Sequence, residues 1–240
     1  MEAIILAGGK AERLGDAAGG KPKALVELAG KPLIAYQVGR LVAAGVQRVI
    51  ISCATGQGAL FARALEGLGA VIVPAEEPER LGRGGGIKFA ARERQETGDV
   101  YALNGDELVE VDFAALLAKH RSSGALATLA VARPKSQFGL VEIDDADVVR
   151  GFREDARVPY WVNCGNYVLA GAAIARFPDR GDHESTAFPE FAAEGALHAH
   201  RHSGLWLTVN TPKELRVASE HVAAHPDWLR PSTEPFLAAG

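Results

Sequence analysis

Short apolar runs alternate with helix-period segments through the first half of this chain, and that order leaves few folds open. Residues 3–7, 49–54, 70–73, 100–103 and 126–132 read as strands. Between them, 33–44, 59–68, 87–96 and 113–120 carry apolar residues at helical spacing. Gly45 and Gly69 stand where two of these helices should stop. Such alternation builds a mostly parallel sheet with helices on both faces, and ligands then bind beyond the carboxyl ends of the strands. The second half changes style. Residues 140–143, 148–152 and 167–169 alternate over short lengths between turns, which predicts a small antiparallel subregion laid against the main sheet. Residues 211–224 read as a last helix with Pro212 in its first turn. The expected organisation is one α/β domain over 1–225, with an irregular tail over 226–240. A chain of 240 residues, 48% of them hydrophobic, can bury one such core.

The first predicted strand runs into Leu6-Ala7-Gly8-Gly9, and four cations follow: Lys10, Arg13, Lys21 and Lys23. Glycines let backbone N–H groups approach an anion closely, and the cations add charge. A loop of this content at the end of a strand suits phosphates. It is not the dinucleotide fingerprint, because Gly8-Gly9 lacks the glycine spacing. Gly15 to Gly20-Lys21 matches the P-loop glycines and lysine. However, Pro22 stands where a hydroxyl should hold magnesium, and no strand leads into Gly15.

Charge and cysteine content narrow the partners. The net charge is −4 and the cations form no tracts, which argues against nucleic acid. Cys53 and Cys164 are too few for a disulfide framework and suit a reducing cytosol. Glu2 sits where a leader would carry positive charge, and no segment reaches membrane-spanning length. A cytoplasmic protein with small-molecule partners and no membrane association is the expectation; a homodimer is left open.

The first loop resembles that of the nucleotidyltransferases that join a sugar 1-phosphate to a nucleoside triphosphate. Their pattern is L-A-G-G-x-G-T-R-L, a variable gap, then P-K-x-L. Here Leu6-Ala7-Gly8-Gly9-Lys10-Ala11-Glu12-Arg13-Leu14 and Pro22-Lys23-Ala24-Leu25 follow it, with Ala11 for Gly and Glu12 for Thr. The resemblance implies a Rossmann-like sheet and Mg2+-dependent transfer of a nucleoside monophosphate, with release of pyrophosphate. It implies catalytic roles for Arg13, Lys23 and Asp106, the last in Asn104-Gly105-Asp106. Magnesium takes hard oxygen ligands, few of them from protein. Asp106 and Asn210 are the candidates, Asn210 coming from Trp206-Leu207-Thr208-Val209-Asn210, where many members have Asp at the Thr208 position. Asn104-Gly105-Asp106 also reads as a plain turn, and Asn210 or Thr211 as a helix cap.

The nucleotide side is assigned to Leu6, Ala7, Gly8, Gly9, Lys10, Glu76, Gly84 and Gly85. The last three lie in Glu76-Glu77-Pro78-Glu79-Arg80-Leu81-Gly82-Arg83-Gly84-Gly85-Gly86-Ile87, which resembles the family's E-x-P-L-G-T-(A/G)-G-A-I loop, with Arg83 for Thr. Bare glycine backbone in such a loop can lie flat against a base; a mobile loop capping a helix is the other reading. The sugar side is assigned to Asn104, Gly139, Glu154 and Asn163. Phe138-Gly139-Leu140-Val141 resembles Tyr-Gly-Val-Val, and Phe152-Arg153-Glu154-Asp155 resembles Phe-x-Glu-Lys with the lysine lost. Trp161-Val162-Asn163-Cys164-Gly165-Asn166-Tyr167 resembles Asn-x-Gly-x-Tyr. Gly85-Gly86-Ile87-Lys88 is most similar to guanylyltransferases for mannose or heptose phosphates. Two rivals stand beside this reading. One is a cytidylyl- or guanylyltransferase acting on inositol phosphate or a pterin cofactor; the other is a nucleotide-sugar-binding module without turnover. His198, His200 and His202 alternate on one strand face and read as solvated rather than metal-binding.

Overall fold

A computed structural model describes residues 1–136, 138–154 and 156–226. In chain order the elements are β1 (Glu2–Leu6), β2 (Glu27–Leu28), β3 (Lys31–Pro32), α1 (Leu33–Ala43), β4 (Arg48–Ala54), α2 (Gly58–Ala64), β5 (Val71–Glu77) and α3 (Gly82–Ala90). There follow β6 (Val100–Asn104), β7 (Glu107–Val109), α4 (Phe113–Ser123), β8 (Ala127–Ala132), β9 (Leu140–Ile143), β10 (Val149–Arg153) and β11 (Val162–Leu169). The chain continues through α5 (Gly171–Ala175), α6 (Ala187–Ala193), β12 (Leu197–Arg201), β13 (Trp206–Thr208) and α7 (Pro212–Ala224).

Seven strands form the main sheet in the order β12-β8-β11-β6-β1-β4-β5. All run parallel except β11, which is antiparallel to both β6 and β8. Period-2 geometry sends alternate side chains of β1 and β4 into two different cores. Ile5, Val49 and Ile51 join α1, α2 and α4 on one face. Ile4 and Ile50 join Ile87 of α3, Ile174 of α5 and Phe188 and Phe191 of α6 on the other. Among the described residues no helix is long and apolar enough to cross a membrane.

Two sequence expectations are corrected here. Residues 167–169 do not belong to an antiparallel subregion; they are the end of β11, inside the main sheet. That strand is buried on both faces and turns through Gly165 at φ +64°, which breaks the alternation a sequence reading depends on. Of the three segments, those at β9 and β10 stand apart from the main sheet, as a two-stranded hairpin. Helix α3 starts at Gly82, not at residue 87, and gives way after Ala90 to a single 3₁₀ turn. Gly84 and Gly85 are therefore helical. A Cβ on Gly84 would lie 2.7 Å from the His183 nitrogen, and one on Gly85 2.5 Å from the Asp179 carbonyl. Close packing on 178–183, rather than helix propensity, explains glycine at these positions.

The histidines on β12 and just after it also differ from expectation. His200 is half-buried and His202 buried, and burial lowers the pKa of both. The face packs beneath α4 instead of facing solvent. No cluster of three or more potential ligands capable of holding a metal occurs among the described residues. Asp155 and residues 227–240, which carry the lost-lysine position and most of the tail, lie outside the described residues.

Candidate active site

The site assembles at the carboxyl ends of β1 and β6. Ala7 N–H donates to the Ser52 carbonyl at 2.7 Å, carrying the first loop past the end of β4. Gly105 N–H donates to the Leu6 carbonyl at 2.8 Å. A Cβ on Gly105 would sit 2.5 Å from that carbonyl oxygen, so the turn requires glycine and presses Asp106 against the first loop. Gln37 of α1 brackets the same turn by donating to the carbonyls of Asn104 (2.7 Å) and Glu107 (2.6 Å).

Asn210 arrives from the far end of the sequence. β13 pairs with β7 so that Thr208 faces Glu107, and Val209 N–H donates to the Asp106 carbonyl at 3.2 Å. Thr211 and Glu214 form a capping box at the start of α7, and Glu214 also accepts from the Asn210 N–H at 2.6 Å. The cap is therefore real, but it is supplied by Thr211. The Asn210 side chain is left to point at the cations.

Lys23 is only 7% exposed. Its Nζ donates to Asp106 Oδ2 and to Asn210 Oδ1, each at 2.6 Å. Arg13 Nη2 donates to the same Asn210 oxygen at 2.8 Å. Four residues spread over almost the whole sequence thus meet at one point. Lys10 lies 3.9 Å from Glu12 with both side chains well exposed, so the carboxylate that replaces the usual Thr has a cation beside it.

Two adjoining cavities flank this point. One, of about 280 Å³, holds Gly8, Gly9, Lys23, Asn104, Asp106 and Asn210 on its walls; Leu6 and Ala7 also line it. The other, of about 610 Å³, is lined by the first loop including Lys10 and Glu12. Gly8, Gly9, Glu77 and Arg80 line both.

Several expected site residues are placed elsewhere. Glu76 points away: its carboxylate accepts from Gly56 N–H (2.9 Å) and Gly58 N–H (2.7 Å) at the start of α2. Its neighbour Glu77 is the buried one, accepting from Ser52 Oγ (2.6 Å) and Leu81 N–H (3.0 Å). Gly84 and Gly85 line neither cavity; Gly82 and Arg83 take that place. Gly139 lies against the Phe152 ring and Glu154 is exposed just after β10; neither lines either cavity. Asn163 is in a polar network, its Nδ2 donating to Tyr167 Oη (2.8 Å) and Glu184 Oε1 (2.9 Å). Glu184 also accepts from Tyr167 Oη (2.8 Å) and pairs with Arg83 (2.8 Å), so the network reaches the smaller cavity.

Sequence reasoning missed Glu77, Arg80, Arg83, Glu107 and Glu184. Glu77 was open to discovery, since residues 75 and 77 share the inward face of β5. Glu107 was not. Its carboxyl is pushed up to about 7, first by burial and then by Asp106 beside it, although Trp206 Nε1 donates to it at 2.8 Å.

The arrangement meets known proteins on the same ground. A model of the family described as nucleotidyl transferase matches residues 2–225. A mannose-1-phosphate guanylyltransferase of Mycobacterium tuberculosis is 33% identical over 226 residues, 89% of this chain and 62% of that protein, so the chain spans less than two thirds of that relative's length. A mannose-1-phosphate guanylyltransferase catalytic subunit beta of Xenopus tropicalis is 30% identical, over 95% of this chain and 68% of that protein. The crystal structure of HddC from Yersinia pseudotuberculosis complexed with GMP-PN superposes with a TM-score of 0.72 at 25% identity, over 92% of this chain and 98% of that one. With its first loop, its carboxyl-edge aspartate and its sheet order all in place, the chain belongs to the nucleotidyl transferase family.

Proposed function

We propose that this protein transfers a nucleoside monophosphate from a nucleoside triphosphate to a sugar 1-phosphate, with Mg2+, and that the pair is GTP with a mannose- or heptose-type 1-phosphate. The convergence of Lys23, Arg13, Asp106 and Asn210 on one point carries this reading. Support for the guanine base comes from the relatives' names and from the GMP-PN bound by the similar structure.

An acceptor phosphate oxygen attacks the α-phosphorus, a new P–O bond forms, and the bond to the β-phosphate oxygen breaks as pyrophosphate leaves. The nucleophile is already an anion, so no general base is needed. The work is positioning and charge neutralisation. Lys23, nearly buried and pointing into the smaller cavity, suits a place between the acceptor phosphate and the α-phosphate. Arg13 has a planar fork for the leaving phosphates.

The donor set fits magnesium. Asp106 and Asn210 offer two hard oxygens already aimed at one cation, the Lys23 ammonium. Asp106 and Asn210 would hold the metal, which would supply positive charge against the substrate phosphates. The base side is then the wall shared by both cavities. Glu77, rather than Glu76, is the acidic residue available to the donor edge of a base.

The test is pyrophosphate release from five nucleoside triphosphates against a panel of sugar and cyclitol phosphates. Release that needs GTP, a hexose or heptose 1-phosphate and Mg2+, and that disappears in Asp106→Ala, is the expected result. Tight nucleotide binding without turnover across the panel would sink it.

A further inference from the structure

Four cations gather at the carboxyl end of β8 and β12, and no carboxylate pairs with any of them among the described residues. Arg133 follows β8, Arg201 ends β12, and Lys135 and Arg157 face each other across an isolated bridge. None of the four makes an ion pair among the described residues, and all are exposed, in a chain whose net charge is −4. Trp161, just ahead of β11, organises two of them. The Arg133 guanidinium lies 4.7 Å and that of Arg201 5.3 Å from its ring centroid. Such stacking holds a guanidinium flat and leaves its N–H edge free to fork onto an anion. Assembling like charges without a counter-charge is unfavourable, and an anionic ligand removes the penalty.

Strand direction locates this cluster. Because β11 runs opposite to its neighbours, its first residues stand at the edge where β6 and β8 end, with Val162 beside Ala132. Trp161 and Asn163 fall on the same side of that strand by period-2 geometry. From Asn163 the contacts pass to Glu184, from Glu184 to Arg83, and Arg83 lines the cavity that holds Lys23 and Asp106. The cluster lines neither cavity; it stands at the same strand edge, beyond the polar network around Asn163.

We infer that Arg133 and Arg201, held on Trp161, form a subsite for a second anionic group on the acceptor, so that the substrate is a sugar 1-phosphate carrying a further carboxylate or phosphate. This rests on the transfer reading above. The experiment compares kcat/KM with GTP and Mg2+ for mannose 1-phosphate, glucuronic acid 1-phosphate and glucose 1,6-bisphosphate. At least tenfold preference for one of the anionic acceptors is expected, the preferred one telling carboxylate from phosphate. In Arg133→Ala/Arg201→Ala that preference should fall at least tenfold, with melting temperature unchanged. Equal or better use of mannose 1-phosphate than of the two acceptors with a second anionic group, or a double variant that lowers all three alike, overturns the subsite. If none of the three is turned over, the wider panel described above decides the transfer reading. Calorimetric binding of glucuronic acid 1-phosphate and glucose 1,6-bisphosphate then decides. A tenfold loss in the double variant for either one sustains the subsite, and unchanged or absent binding of both removes it.

Discussion

Lys23 is the cation that meets both Asp106 and Asn210, sharing the Asn210 oxygen with Arg13, and that makes it the side chain whose loss should cost most. In Lys23→Ala the rate of pyrophosphate release should fall by about two to three orders of magnitude, as when a preorganised charge contact is removed from a displacement. Circular dichroism should stay native, because the turn around Lys23 is held by backbone bonds such as Lys23 N–H to the Gly9 carbonyl. His183 makes a different prediction. It is fully buried among Phe177, Phe188 and Tyr167, and neither ring nitrogen has a hydrogen-bond partner. Burial lowers its pKa to about 4. Above the unfolded value of about 6.5 both states are neutral; below it the unfolded chain takes up a proton that the native one refuses. Stability should therefore fall as pH drops from about 6.5 towards 4, by about 2 kcal/mol between pH 7 and 5 from this residue. Urea titrations at the two pH values would measure it, and His183→Phe should remove that part of the slope. These residues also mark what was readable beforehand. Arg13, Lys23 and Asp106 each lie in a short local motif. Glu184, His183 and Glu107 matter only through neighbours distant in sequence, and their types carry no signal on their own.

The glycines of α3 distinguish two explanations of the same motif. If their bare backbone served a base, Gly85→Ala would weaken nucleotide binding and leave the fold alone. The packing against the Asp179 carbonyl instead predicts destabilisation of about 1–3 kcal/mol, the usual cost of forcing extra atoms into a filled interface. Chemical denaturation of the variant would separate these outcomes. At the other end of the site, Thr211→Ala removes half of a capping box, costing about 1 kcal/mol and loosening the element that presents Asn210. Both cases show why boundaries were harder to read than elements. β1, β4, β6 and β8 were legible because continuous apolar runs bounded by turns have few alternatives. The start of α3 was hidden because three successive glycines argue locally against a helix, and tertiary packing overrides them. β11 was hidden because a buried strand that bends at a left-handed glycine has neither the alternation of an edge strand nor an unbroken apolar run.

For the whole molecule, ligand binding should appear as stability. At one hundred times its dissociation constant, GTP with Mg2+ should add about 2.7 kcal/mol, raising Tm by a few degrees for a domain of this size. The rise should shrink when EDTA replaces the metal and also in Asp106→Ala, which differential scanning calorimetry would detect. The reversed direction of β11 has a further consequence. On the reading proposed above, the parallel strands deliver the nucleotide-side groups from residues before Glu110, except for Asn210, whereas the acceptor-side groups, Asn104 apart, lie between Arg133 and Arg201. One continuous stretch of chain would then carry most of the acceptor-side groups. It enters the domain at one strand end and leaves at another, so recombination within a gene could replace the acceptor specificity in a single crossover pair and keep the donor chemistry intact.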